Sequence, residues 1–182
     1  MNEQIQHTLA QYRNELTKCR ETFEKKVQDY GSSWRILRLP SITDQMYIKA
    51  QRIRTLQETD KNMVGDSEVG EFGALVNYGI IALIQIEVGV SQQADNWSPE
   101  RCLEHYDTQA AATEALMLRK NHDYGEAWRD MRVSSITDII LTKLLRIKQI
   151  ENNKGKTLVS EGVDANYKDI INYAIFSLIL LN

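Results

Sequence analysis

An all-α fold built from two tandem copies of one three-helix unit is what this sequence predicts, and three observations carry the prediction. The first is an internal repeat. A shift of 94 residues lays residues 26–53 over residues 120–147, with the shared pattern K-x-x-D-Y-G-x-x-W-R-x-x-R-x-x-S-I-T-D-x-x-x-x-K-x-x-R-I. Fourteen identities fall in that window, from Lys26/Lys120 through Trp34/Trp128 to Ile53/Ile147, which chance does not explain. The second is periodicity: the β-branched residues sit inside longer helical patterns, so no stretch reads as a strand. The third is composition. Only 2 prolines and 9 glycines in 182 residues argue against a loop-rich chain, while 42% hydrophobic and 26% charged residues suit a core with a solvated surface.

Each unit starts with a lead-in helix, expected at about residues 3–28 and 99–122. In the second copy Ser98-Pro99-Glu100 supplies an N-cap serine followed by proline at the first helical position. Asp-Tyr-Gly ends the helix, with Gly31 or Gly125 free to take the left-handed cap conformation. Trp34 and Trp128 follow and are expected to anchor the connecting loop in the core. The second helix is expected to open at Ser41 or Ser135, where Ser-Ile-Thr-Asp resembles a capping box, and to run to about Gln57 and Glu151. The third, about 67–88 and 162–181, is apolar on most sides and therefore central. A cluster of Ser, Gln, Asn and Asp near Ser91–Ser98 marks the seam. The two repeats, 1–92 and 93–182, are expected to pack as one compact domain about a pseudo-twofold axis, because neither buries its third helix well alone.

Charge and cysteine usage exclude several classes. A net charge of −3 and a pI near 5.7 give no global attraction to nucleic acid. Cys19 and Cys102 lack metal-ligand spacing, which fits a reduced compartment. The polar N-terminus is no signal peptide, and the apolar runs Gly79–Ile86 and Ala174–Leu181 are too short to span a bilayer. A soluble, cytoplasmic protein is the expectation. His7, His105 and His122 form no triad or metal spacing, and there is no Gly-rich phosphate loop or HExxH.

The candidate site residues are charged. The second helix carries Lys49 and Arg52 in one copy, Lys143 and Arg146 in the other, each pair three residues apart and so on one face. Like charges there call for an anionic partner. In the second copy the third helix adds Asp164, Asp169 and Asn172, which antiparallel packing would set near Lys143 and Arg146. A structural ion-pair network explains that arrangement as well as an active site does. The positions matching the two acids in the first copy are Val69 and Ala74, so the acids are dispensable for folding the unit. The expectation is a division of labour: Asp164 and Asp169 holding a divalent cation such as Mg²⁺, and the uncompensated Lys49 and Arg52 holding phosphates. The loop arginines Arg35, Arg38, Arg129 and Arg132 suit phosphates too, or brace the other copy. Asp29/Asp123 cap the turn or take a catalytic role, and Asp44/Asp138 are read as capping acids. Asn77/Asn172 are interhelical bridges or ligand contacts, and Tyr78/Tyr173 are core.

These residues resemble a known family. K-x-x-D-Y-G-x-x-W, then S-I-T-D-x-x-x-x-K-x-x-R-I, then V-D-x-x-x-x-D-I-I-N-Y-A over residues 163–174, is similar to the nucleotide modification associated domain type 1 family, in both copies. Its name implies an association with modified nucleobases. A more distant similarity is to the MazG-like all-α nucleoside triphosphate pyrophosphatases, which are Mg²⁺-dependent and often built from paired units. Where their E-E-x-x-E and E-x-x-D acids would fall, this chain has Lys143-Leu144-Leu145-Arg146 and Asp169-Ile170-Ile171-Asn172. The resemblance implies a protein associated with nucleotides or modified nucleotides, with a Mg²⁺-dependent pyrophosphatase-like hydrolase as one form of it. The residues read from helix spacing, Asp164, Asp169, Lys143 and Arg146, are the catalytic candidates. Asp123, Arg129, Arg132, Asn172, Lys49, Arg52, Arg35 and Arg38 are ligand-binding candidates. The expected partner is an anionic, nucleotide-like small molecule, with self-association an option and no membrane partner. A non-catalytic assembly module with structural ion pairs is the competing reading, and general DNA binding is the weakest.

Overall fold

The computed structural model describes residues 2–59 and 67–182, and among these it is all-helical with no strand. Six helices run α1 (Glu3–Tyr30), α2 (Leu39–Glu58), α3 (Glu68–Val88), α4 (Pro99–Tyr124), α5 (Val133–Asn152) and α6 (Val163–Leu181). One-turn 3₁₀ helices at Ser33–Ile36 and Ala127–Asp130 carry Trp34 and Trp128. Side-chain caps start α1, α3 and α4: Asn2, Ser67 and Ser98 accept from the backbone N–H groups of Ile5, Gly70 and Arg101. Gly31 and Gly125 end the lead-in helices at φ 68° and 66°, but with ψ of −146° and −158°. That is outside the left-handed helical basin expected, in a region open essentially to glycine alone.

The capping boxes are corrected. Both α2 and α5 start two residues earlier than Ser41 and Ser135, with Arg38 and Arg132 at the cap positions and no side-chain cap. Pro40 sits in the first turn of α2, where its missing N–H costs nothing. Asp44 and Asp138 instead reach across to the other repeat. Lys148 pairs with Asp44 at 3.0 Å, and Arg54 with Asp138 at 3.6 Å.

Those two ion pairs are equivalent under the 94-residue shift, and they are not alone. Thr43 donates to Glu151 at 2.7 Å, while Gln57 donates to Thr137 at 3.0 Å. The start of each second helix thus meets the end of the other, so α2 and α5 run antiparallel. Tyr12 of α1 donates to Asn172 of α6, and Tyr106 of α4 donates to Asn77 of α3, both at 2.7 Å. Every contact from repeat one to repeat two has its reciprocal in these three sets, which is the signature of a twofold axis. Asn77 and Asn172 are therefore interhelical bridges, as one of their two readings held. Their amide nitrogens donate to the carbonyls of Cys19 at 3.0 Å and Thr113 at 3.3 Å.

The two apolar helices α3 and α6 pack most extensively and form the centre of one hydrophobic core spanning both repeats. A Cβ on Gly79 would lie 2.6 Å from Cγ1 of Ile171, so the closeness of this crossing depends on a glycine. By length and composition α3 could cross a membrane, but most of it is buried inside the bundle.

Candidate functional site

Each repeat has a cavity at the same place, bounded by the end of its lead-in helix, the 3₁₀ turn and its third helix. In the second repeat the cavity measures about 380 Å³. Local sequence builds its walls. The glycine turn after Tyr124 lets the chain double back and bring Trp128 over α6, where it stacks on Phe176 at 4.2 Å with rings 3° from parallel. Trp128 is buried, and its indole N–H finds no acceptor among the described residues. Tyr124, 80% exposed, also lines the cavity. Burial, and then the charge of Asp169, pushes the Tyr173 hydroxyl above its ordinary range.

The polar end of this cavity is a carboxylate between two ammonium groups. Lys120 Nζ lies 2.5 Å from one oxygen of Asp169, and Lys143 Nζ lies 2.9 Å from the other. The Asp169 side chain is 8% exposed, Lys143 15% and Lys120 44%. Two lysines against one acid leave one net positive charge at the wall of a largely apolar pocket. Low surrounding dielectric strengthens that field.

Only part of the expected site assembles. Asp169, Lys143 and Asn172 line the cavity together. Asp164 does not join them: it is exposed in the first turn of α6. Five residues along a helix separate it from Asp169 by roughly 140° and ~7.5 Å. Arg146 is exposed too and lines a separate hollow with Lys156, beside the segment leading to α6. Asp123 is exposed next to His122, and Arg38 and Arg132 are exposed at the helix starts.

The donors do not fit the expected Mg²⁺. Both Asp169 oxygens already face ammonium groups, and no group of three or more His, Cys, Asp or Glu gathers among the described residues.

The expectation that Lys49 and Arg52 are uncompensated is also corrected. Glu71, buried on α3, pairs with Lys49 at 3.3 Å and with Arg52 at 3.8 Å. The first repeat has moved its acid by three residues along the helix, from the Ala74 position to Glu71, and so faces α2 with it.

The loop arginines brace the fold. Arg35 is buried, donates to Asp95 at 2.9 Å and to the Gly89 carbonyl at 2.7 Å, bonds Gln85, and lies 4.5 Å from the Trp97 ring. Arg129 donates to Glu126, Thr8 and Gln11 at 2.7–2.9 Å and lies over the Trp128 ring. Burial would raise the Glu126 carboxyl, but hydrogen bonds from Thr8, Arg129 and Gln4 outweigh it and hold it below its ordinary range.

Sequence reasoning missed Lys120 and the aromatic wall. A signal for Lys120 was present: the lysine three residues before Asp-Tyr-Gly is kept in both copies, as Lys26 and Lys120.

The fold and its cavities define a duplicated all-helical protein in which the two repeats share a pocket at equivalent positions with different polar groups in each. More particularly, the chain belongs to the family described as nucleotide modification associated domain 1, whose sequence model matches it twice, over residues 26–86 and 120–181. No curated protein and no solved structure matches the chain.

Proposed function

We propose that the second-repeat cavity binds a nucleotide or modified nucleotide. The observation that carries this reading is the Lys120–Asp169–Lys143 cluster at the wall of an aromatic-lined cavity of about 380 Å³. Its volume falls in the range of small-molecule sites. The net positive charge suits a phosphate group, which would take one ammonium while Asp169 keeps the other. Tyr124, an exposed aromatic residue lining the cavity, suits stacking with a base. The family description points the same way. A Mg²⁺-dependent, pyrophosphatase-like hydrolysis is not part of the proposal, because the carboxylates it needs do not converge.

The competing reading, a non-catalytic module with internal ion pairs, is favoured by one set of observations: Arg35, Arg129, Lys49 and Arg52 all serve the fold. It does not explain why two lysines share one acid at a cavity, leaving one positive charge in excess. Thermal shift against deoxynucleoside mono- and triphosphates, with and without Mg²⁺, separates the readings. A bound nucleotide at about 100 times its Kd stabilises by ~2.7 kcal/mol. The expected result is a shift with nucleotide that needs no Mg²⁺ and is lost in Lys143→Met and Lys120→Met. No shift with any nucleotide, or a shift indifferent to both substitutions, refutes nucleotide binding at this cavity.

A further inference from the structure

We infer that the first-repeat cavity is a second binding site, specialised for a flat apolar ring system carrying a single anionic group. This cavity also measures about 380 Å³, and its lining matches the other position for position: Phe23 for Met117, Trp34 for Trp128, Asn77 for Asn172, Tyr78 for Tyr173. The inference does not depend on nucleotide binding in the second repeat. It rests on how the two cavities differ.

Two differences point to the ligand. First, Ala74 stands where the second repeat has Asp169, so no carboxylate lines this cavity. Second, Lys26, the counterpart of Lys120, lines it without an ion-pair partner among the described residues, whereas Lys49, the counterpart of Lys143, is held away by Glu71. One ammonium group is therefore available here, against two ammoniums and a carboxylate in the second repeat. A feature shared with the second repeat is the buried tryptophan, here Trp34, whose indole N–H has no acceptor among the described residues. Asn77 is already engaged at both ends, by Tyr106 and by the Cys19 carbonyl.

What remains at the wall is a cation and hydroxyls from Tyr30, Tyr78 and Ser33, with aromatic and aliphatic carbon over the rest. A surface rich in donors and lacking an acid selects an acceptor of negative charge. The apolar remainder selects a planar hydrophobic body. A polyphosphate would bring several charges to a site that offers one cation. A monoanion of about two fused rings matches both the charge and the volume.

The test uses the full chain, isothermal titration, and 2-naphthoate as probe beside its neutral counterpart 2-naphthalenemethanol. The expected result is saturable binding of naphthoate, at least tenfold tighter than the neutral alcohol. Lys26→Gln, at an exposed position that leaves the fold intact, should weaken naphthoate binding at least tenfold and leave the alcohol unchanged. Ala74→Asp, which restores the second repeat's acid, should do the same, with thermal melting confirming the fold. Lys143→Gln should leave naphthoate binding as it is. Absence of saturable naphthoate binding overturns the inference, as does binding indifferent to Lys26→Gln. Loss of binding in Lys143→Gln but not in Lys26→Gln would place the probe in the second cavity and overturn it as well. The nucleotide shift and its dependence on Lys143 can fail or succeed independently of these outcomes.

Discussion

Removing one hydroxyl tests the interlock of the repeats. Tyr12 is fully buried and donates at 2.7 Å to the side-chain oxygen of Asn172, itself 5% exposed. Tyr12→Phe leaves that oxygen without its donor, at a residue that lines the second cavity but has almost no surface open to water. A buried acceptor left unpaired costs ~1–3 kcal/mol, and the depth here argues for about 2. The equivalent bond, Tyr106 to Asn77, has the same 2.7 Å length and its asparagine also lines a cavity, but Asn77 is only half-buried. Water can replace the lost donor there, so Tyr106→Phe should cost about 1 kcal/mol. Urea unfolding followed by circular dichroism reads both. The corresponding drops in Tm are about 4–8 °C and 2–4 °C for a chain of this size. The two bonds share no residue, so the double variant should be additive within ~0.5 kcal/mol. Equal costs, a reversed order, or a Tyr12→Phe cost below about 0.5 kcal/mol would refute the reasoning from burial.

Three other outcomes are expected. Gly79→Ala should destabilise by about 1 kcal/mol, as ~2 of overpacking against Ile171 outweighs ~1 gained in helix propensity, and the loss should vanish in an Ile171→Ala background. Glu126 has a carboxyl held below its ordinary range, so its stabilising contribution is present above that range and disappears as pH falls through the folded-state value. Glu126→Gln should therefore flatten the loss of stability measured between about pH 6 and pH 3. Burial, then the charge of Glu15, pushes the Cys19 thiol up to about 12, and burial also raises Cys102. Neither thiol should react with iodoacetamide in the folded protein near neutral pH, while both should in urea; a rate matching free cysteine would contradict this.

Much of the fold was legible because its signals are local. The Asp-Tyr-Gly turn, the Ser98-Pro99 start and the apolar third helices each announce themselves within a few residues. The capping boxes misled because Ser-Ile-Thr-Asp has the right spacing, yet the chain begins its helix at Leu39 and Val133 and uses the aspartates across the interface. Of the charged cluster, Asp169 with Lys143 was foreseeable from helix offsets. The repeat marked Lys120, but its pairing with Asp169 was not foreseeable, since Lys120 lies on α4 and meets Asp169 only once α4 packs on α6. The pairing of Arg54 with Asp138 likewise joins residues 84 apart in sequence, beyond any local pattern.

The sequence by itself determined the duplication, the helix order and the all-α class, because hydrophobic periodicity, turn glycines and repeated motifs are properties of short segments. Only the tertiary structure decided which charges serve the fold and which are left at a cavity. Lys49 and Lys143 occupy equivalent positions in the repeat, yet one is held by Glu71 and the other shares Asp169 with Lys120. A charge acquires its role from the groups within a few ångströms of it, and those come from helices the chain brings together only on folding.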